Sequence, residues 1–267
     1  MRLTLLGTGH AMTTACYNTC FVLTEQGRHF LVDGGGGSGI LAQARRAGMA
    51  WRDVEAIFCT HKHIDHLLGV VWAARAAMQE MFLGVRQGDL AILAHAELAA
   101  LLGRLLRELI RGEEAALVGS RVRIHALGDG EERRILGRRT VFFDIGSEQD
   151  RQFGFAMDLK EKGRLVCLGD EPLHAPGERY ARGASLLMHE AFCLASEAER
   201  FRPYEKRHST ARDACLAAAR MQAGAVLLYH AEDSCLAQRK VRYRDEGRTV
   251  FSGPIYVPDD LDVLNLD

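Results

Sequence analysis

Thr60-His61-Lys62-His63-Ile64-Asp65-His66 places three imidazoles and a carboxylate in one short turn. Just ahead of it, Ala56-Ile57-Phe58-Cys59 is a short apolar run that reads as a buried strand, and Ile64 to Glu80 is rich in helix formers, interrupted only by Gly69. The motif is therefore a strand-to-helix turn. Residues two apart in an extended segment point the same way, so His61 and His63 can share one cation while Asp65 and His66, in the first helical turn, face a second. Surface histidines beside a satisfied acid are the bland alternative. Four ligand-type side chains between His61 and His66 argue against it.

Strand-like runs flank this turn on both sides. They occur at Leu3-Leu6, Cys20-Leu23, Phe30-Val32, Ala91-Ala94, Val122-His125, Thr140-Ile145, Gly154-Leu159, Leu165-Leu168, Leu186-Met188, Val226-Tyr229 and Ile255-Val257. Helical patterns lie between them at Ile40-Ala47, Ile64-Glu80, Glu97-Arg111 and Thr210-Ala223. Thr210-x-x-Asp213 has the spacing of a capping box, and Gly224 is a stop signal. Two clusters of strands, each trailed by helices, predict two packed sheets with helices outside, and loops at the strand ends that carry the chemistry.

No repeat, low-complexity tract or proline-rich linker divides the 267 residues, so residues 1–267 read as a single domain. Apolar residues at 48% and charged residues at 26% fit a globular chain with a sizeable core. The 34 basic and 35 acidic side chains nearly cancel, which removes a global field for nucleic acid. Seven cysteines without paired CxxC spacing point to reduced thiols rather than a disulfide framework or zinc knuckle. No apolar run is long enough for a bilayer or a signal peptide, so the expected location is cytoplasmic, without membrane contact.

Two cations need about six or seven protein ligands in all, so other strand ends must contribute. Asp170 follows Leu165-Val166-Cys167-Leu168-Gly169, and His230 ends Val226-Leu227-Leu228-Tyr229. Taken singly, an Asp after a Gly is a turn residue. Placed together after buried strands, the two become candidate ligands.

With these positions assembled, the chain resembles the metallo-β-lactamase superfamily, whose fold is an α/β, four-layer αβ/βα sandwich. The resemblance rests on His61-x-His63-x-Asp65-His66, Leu168-Gly169-Asp170, the strand-end His230, the opening Leu6-Gly7-Thr8-Gly9 and Leu31-Val32-Asp33-Gly34-Gly35-Gly36-Gly37. It implies a metal set of His61, His63, Asp65, His66, Asp170 and His230, and a structural Asp33 beneath the metal loop. His189-Glu190-Ala191-Phe192 is similar to the HEAT motif of ribonuclease Z, and His208-Ser209-Thr210 to its HST motif. By that likeness His208 donates a proton to the leaving oxygen, Glu190 orients its imidazole and Asp65 contacts the nucleophilic water. His189 itself reads as a core histidine bonded to backbone.

Two departures narrow the expectation. The family carries a further ligand histidine before the Gly-Asp motif, and Gly146 stands where it belongs, which weakens the His61/His63 site unless Asp144, or less readily Glu148, substitutes. The interval from Asp170 to His189 is too short for the arm that grips tRNA. The implied activity is a binuclear metallo-hydrolase of a small phosphodiester or nucleic-acid substrate, with zinc favoured and manganese or iron compatible with the donor set. Competing functions are lactam, thioester or lactone hydrolysis on the same fold, or a metal-impaired binding protein. Related enzymes suggest a homodimer by analogy only.

Overall fold

The computed structural model describes residues 1–160 and 163–266. Its first half runs β1 (Arg2–Gly7), β2 (Cys20–Glu25), β3 (Arg28–Val32), α1 (Gly39–Arg46), β4 (Val54–Phe58), α2 (Ile64–Phe82), β5 (Leu90–His95), α3 (Ala96–Leu109) and β6 (Val122–Leu127). The second half runs β7 (Glu131–Ile135), β8 (Arg138–Asp144), β9 (Phe153–Asp158), β10 (Arg164–Cys167), α4 (Ala175–Ala181), β11 (Leu186–Glu190), α5 (Ala198–Phe201), α6 (Ala211–Arg220), β12 (Val226–Tyr229), α7 (Leu236–Arg248), β13 (Ile255–Tyr256) and β14 (Val263–Asn265). Strand order is β14-β1-β2-β3-β4-β5-β6 in one sheet and β13-β12-β11-β10-β9-β8-β7 in the other. Each sheet begins antiparallel and turns parallel, from β3 in the first and from β10 in the second.

The inner strands are buried on both faces, so their residues alternate between cores. Phe30 and Val32 of β3 point between the sheets, with Phe58, Phe142 and Phe155, whereas Leu31 packs under α1 and α2. In β10, Leu165 and Cys167 face the first sheet while Val166 faces α4 and α6. Three cores in series make four layers, helix-sheet-sheet-helix. This is the expected metallo-β-lactamase-type sandwich.

Two strands and several helices were not expected. β7 is Glu131-Glu132-Arg133-Arg134-Ile135, a mostly exposed edge strand whose charges guard an open ladder; its composition reads as a solvated run. α7 is strongly polar, yet it buries Arg239 and Tyr243. α6 starts with the expected capping box, Thr210 and Asp213 each accepting from the other's backbone N–H, and ends at Arg220, earlier than its pattern suggested. The seven cysteines are free thiols.

A backbone contact seats α2. The Gly34 N–H donates to the His66 carbonyl at 2.9 Å and the Gly69 N–H to the Gly35 carbonyl at 2.9 Å. A Cβ on Gly69 would lie 1.7 Å from the Gly34 oxygen, so only glycine permits this approach. Gly69, a helix breaker by composition, is the residue that lets the helix press the His61–His66 turn into place.

Candidate metal centre

The candidate ligands gather where parallel strands of the two sheets end. His61 and His63 follow β4, Asp170 follows β10, Glu190 closes β11 and His230 follows β12. Asp170 is the hub. Its Oδ2 lies 3.4 Å from His61 Nε2, 3.4 Å from His66 Nε2 and 3.6 Å from His230 Nε2, and Asp65 Oδ2 lies 3.4 Å from His66 Nε2. His61, His66 and Asp170 form one cluster and Asp65, His66 and His230 another, the ligand atoms of each within 4.8 Å of one another.

Three of these imidazoles have their tautomer set from behind. Asp33, buried beneath the turn, accepts from Thr60 N–H at 2.8 Å, from Thr60 Oγ1–H at 2.8 Å and from His66 Nδ1–H at 2.7 Å. Because the Thr60 hydroxyl spends its proton on Asp33, its lone pair accepts His61 Nδ1–H at 2.9 Å. Thr19 repeats the device: its hydroxyl donates to the Gly9 carbonyl at 3.0 Å and accepts His230 Nδ1–H at 3.2 Å. In its neutral form each of these histidines keeps an Nε2 lone pair aimed at Asp170, the arrangement that metal-ligating histidines use. His61 Nε2, His66 Nε2 and Asp170 Oδ1 are buried without a hydrogen-bond partner among the described residues. Such orphans are costly unless an ion satisfies them, so the donor set fits a divalent cation.

Electrostatics agree. Burial works against ionising Asp170, but His61 and His66 hold it well below the carboxylate range. Burial keeps His230 well below its ordinary value, hence neutral. His66 goes the other way: burial opposes its charge, yet Asp33 and Asp65 raise it well above, so protons compete with a cation there. Asp33 and His230 both adopt left-handed backbone, φ 57° in each, a conformation that non-glycine residues hold only where surroundings impose it.

His63 stands apart from both clusters, although its ring centroid is 4.4 Å from that of His61. Its Nε2 faces Asp150 Oδ2 at 3.2 Å, and Lys62 Nζ holds the other oxygen at 2.5 Å. An Nε2–H given to Asp150 leaves Nδ1 as the lone pair of His63. The expected substitutes for a missing ligand are spent elsewhere: Asp144 accepts from Gly146 N–H at 2.9 Å and from Arg151 Nε–H at 2.9 Å, and Glu148 pairs with Arg207 at 3.0 Å. Gly146 has its own cause. At φ +81° a Cβ there would sit 2.8 Å from Pro176 Cγ, so the backbone favours glycine and a side chain would crowd α4.

His208 lies across the pocket. Its Nδ1–H donates to the Asp170 carbonyl at 3.0 Å, with Glu190 Oε2 3.6 Å away, which leaves Nε2 for the pocket. Burial works against the imidazolium, but Glu190 and Asp170 raise it to about 9. Glu190 also accepts the Ser209 N–H, fixing the loop that carries His208. His189 is buried, with Nδ1–H on the Glu190 carbonyl at 2.7 Å, the backbone-bonded core histidine expected. The pocket is also lined by His10, Gln149, Gln152, Glu171 and Lys206, which sequence reasoning passed over. His10 directly follows Gly7-Thr8-Gly9, whose resemblance marked the turn; Lys206 hides in a charge run, Glu205-Lys206-Arg207.

Residues 1–138 match the family model described as "Anti-Pycsar protein Apyc1". The chain belongs to the Apyc1 family. The Apyc1 match takes in Asp33 and the His61–His66 turn and ends at Arg138, ahead of Asp170, Glu190, His208 and His230. Over the full length, the chain is 26% identical to a ribonuclease Z of Pyrobaculum arsenaticum, across 99% of this chain and 98% of that one. Among solved structures it is similar to the short form of human tRNase Z, TM-score 0.74 at 21% identity and 100% coverage of both chains. It is also similar to a diphosphatase of the PhnP family, TM-score 0.73 at 18% identity, covering 100% of this chain and 98% of that one. These likenesses establish the metallo-β-lactamase fold across the second half as well. No helix among the described residues is long and apolar enough to cross a membrane.

Proposed function

We propose that this Apyc1-family chain is a hydrolase that binds two divalent cations and cleaves a small phosphodiester. The observation that carries the reading is the set of orphaned, buried Nε2 and Oδ1 atoms on His61, His66 and Asp170, each imidazole fixed through its Nδ1 by a residue that is not a ligand. Asp170 would bridge the two positions, His61 and His63 serving one and Asp65, His66 and His230 the other. Zinc suits this nitrogen and oxygen set, and manganese or iron is compatible with it. When bound, the cations supply Lewis acidity, acidifying a water and stabilising phosphoryl oxygens.

The protein's own groups account for the rest. Asp65 holds the water in line, His208 donates its Nε2 proton to the departing alkoxide, and Glu190 keeps that imidazole charged and aimed. Ribonuclease Z relatives and a diphosphatase among the fold neighbours support phosphoryl chemistry. Only α4 occupies the stretch between Asp170 and β11, which supports a compact substrate over a tRNA body. The test is metal analysis with hydrolysis of bis(p-nitrophenyl) phosphate. Two cation equivalents are expected, His61→Ala losing cation and rate together, and His208→Ala keeping its cations while slowing cleavage of a phosphodiester with an alkoxide leaving group, which needs the proton, by roughly 10²- to 10⁴-fold. Full activity in His61→Ala would refute the reading.

A further inference from the structure

Phe192 occupies the last position of the HEAT-like motif, where the motif itself has threonine. Its ring is 2% exposed and is fixed by its own backbone: the N–H donates to the Ser209 carbonyl at 2.9 Å, and the carbonyl accepts from Glu232 N–H at 2.8 Å and Tyr243 O–H at 3.2 Å. Around it stand His10, edge-on at 4.8 Å, and His208, tilted at 5.2 Å. Lys206 Nζ lies 4.8 Å from the same ring centroid. The aromatic side chain therefore ties three nitrogen-bearing groups to one wall of the pocket.

Lys206 differs from its neighbours. In the run Glu205-Lys206-Arg207, Glu205 pairs with Arg202 at 3.5 Å and Arg207 with Glu148 at 3.0 Å, and neither lines the pocket. Lys206 makes no ion pair with a carboxylate among the described residues; its ammonium rests on a π face and lines the pocket with His10, His63, Asp65 and His208. The carboxylates that line the pocket are committed elsewhere, Asp65 and Asp170 to the histidine clusters and Glu171 to Ser147, Gln152 and His174. An exposed lysine that lines the same pocket as the candidate ligands and pairs with no carboxylate is poised for an anion that arrives from solution.

We propose that Lys206, seated on Phe192, is the substrate-binding cation that engages a non-bridging phosphoryl oxygen in the pocket it shares with the candidate metal ligands. This rests on the phosphodiester reading and assigns recognition within it. The phosphoryl group then lies between the ligand clusters and Lys206, with His208 beside the leaving oxygen. His10, kept below its ordinary pKa by burial and by the cationic His208 and Lys206, stays neutral and able to hydrogen-bond the rest of the substrate. The sequence departure at Phe192 is what makes the arrangement specific to this chain: a threonine offers no ring on which to seat the ammonium.

The experiment uses the metal-loaded full chain and Lys206→Met, which keeps an unbranched apolar stem over Phe192, with Lys206→Arg as the conservative variant. Inorganic phosphate is the binding probe, titrated calorimetrically, and bis(p-nitrophenyl) phosphate the substrate. Lys206→Met should weaken phosphate binding and raise KM by roughly 10- to 100-fold, the range of one charge-assisted hydrogen bond, and flatten the salt dependence of KM. Metal content should be unchanged, and Lys206→Arg should recover most of the affinity. Phosphate affinity in Lys206→Met within twofold of the wild type would overturn the assignment. A wild-type enzyme that binds metal and phosphate but cleaves no phosphodiester would instead overturn the proposed function, leaving the phosphate affinities to judge Lys206.

Discussion

Restoring a histidine at position 146 should damage the protein rather than repair it. Gly146 adopts φ +81°, and an added Cβ would stand 2.8 Å from Pro176 Cγ and 3.0 Å from its Cδ. Left-handed backbone costs a residue with a Cβ about 1–2 kcal/mol. Pro176 is a rigid ring in the first turn of α4, so relieving the contact means moving that helix, an overpacking cost of roughly 1–3 kcal/mol. Gly146→His is therefore expected to lose about 2–5 kcal/mol of stability, with no gain in cation stoichiometry. Because the collision begins at Cβ, Gly146→Ala should carry most of the same loss. Denaturant unfolding of the metal-free proteins measures the first quantity, and metal analysis of the loaded proteins the second. A Gly146→His variant as stable as the wild type and richer in bound cation would show that the reasoning from backbone and Pro176 is wrong.

Asp150→Asn should weaken cation binding by roughly 10- to 100-fold, the usual effect of removing a carboxylate behind a ligand histidine; equal affinities by calorimetry would show that the 3.2 Å contact with His63 does not orient it. For pH, His208 is raised to about 9, so its charged form, and the stability it contributes, is fully present below the ordinary imidazole value and is lost as pH rises through about 9. If that form is the proton donor, the pH–rate profile falls on its alkaline side near 9, and Glu190→Gln moves this limb toward neutrality; a limb that stays in place separates Glu190 from His208.

Much of the fold was legible because each buried strand announces itself as a short apolar run, and the strand ends then mark where ligands stand. β7 was not legible: an edge strand survives on charge, the same composition that marks a solvated loop. The site divided along similar lines. His61, Asp65, His66, Asp170 and His230 converge as their strand-end positions suggested. The side-chain contacts within that set were not legible from alternation. His61 meets His66 and Asp170 while His63 turns to Asp150, because side-chain direction at a strand-to-helix turn depends on what lies behind each ring. Gly146 is a related case, since its positive φ and its contact with Pro176 leave no mark in the sequence pattern. Asp150 and Lys206 sit in polar runs, where only tertiary contact separates a working charge from a solvated one.

The residues that most determine whether this centre can hold a cation are not its ligands. Asp33, Thr60 and Thr19 never reach the pocket, yet between them they decide which nitrogen of His61, His66 and His230 carries the proton. With the opposite tautomer, each ring would present an N–H to the position a cation must take, and the same atoms at the same distances would repel it. Asp33 bears the largest share, for it receives the Thr60 hydroxyl proton that in turn obliges His61 to donate. It does so from strained left-handed backbone at the end of β3, against a helix admitted by Gly34 and Gly69. The glycine run after β3 and the histidine turn after β4 are thus one device: the first brings α2 close enough for Asp33 to reach His66, and only then can the rings present their Nε2 atoms together.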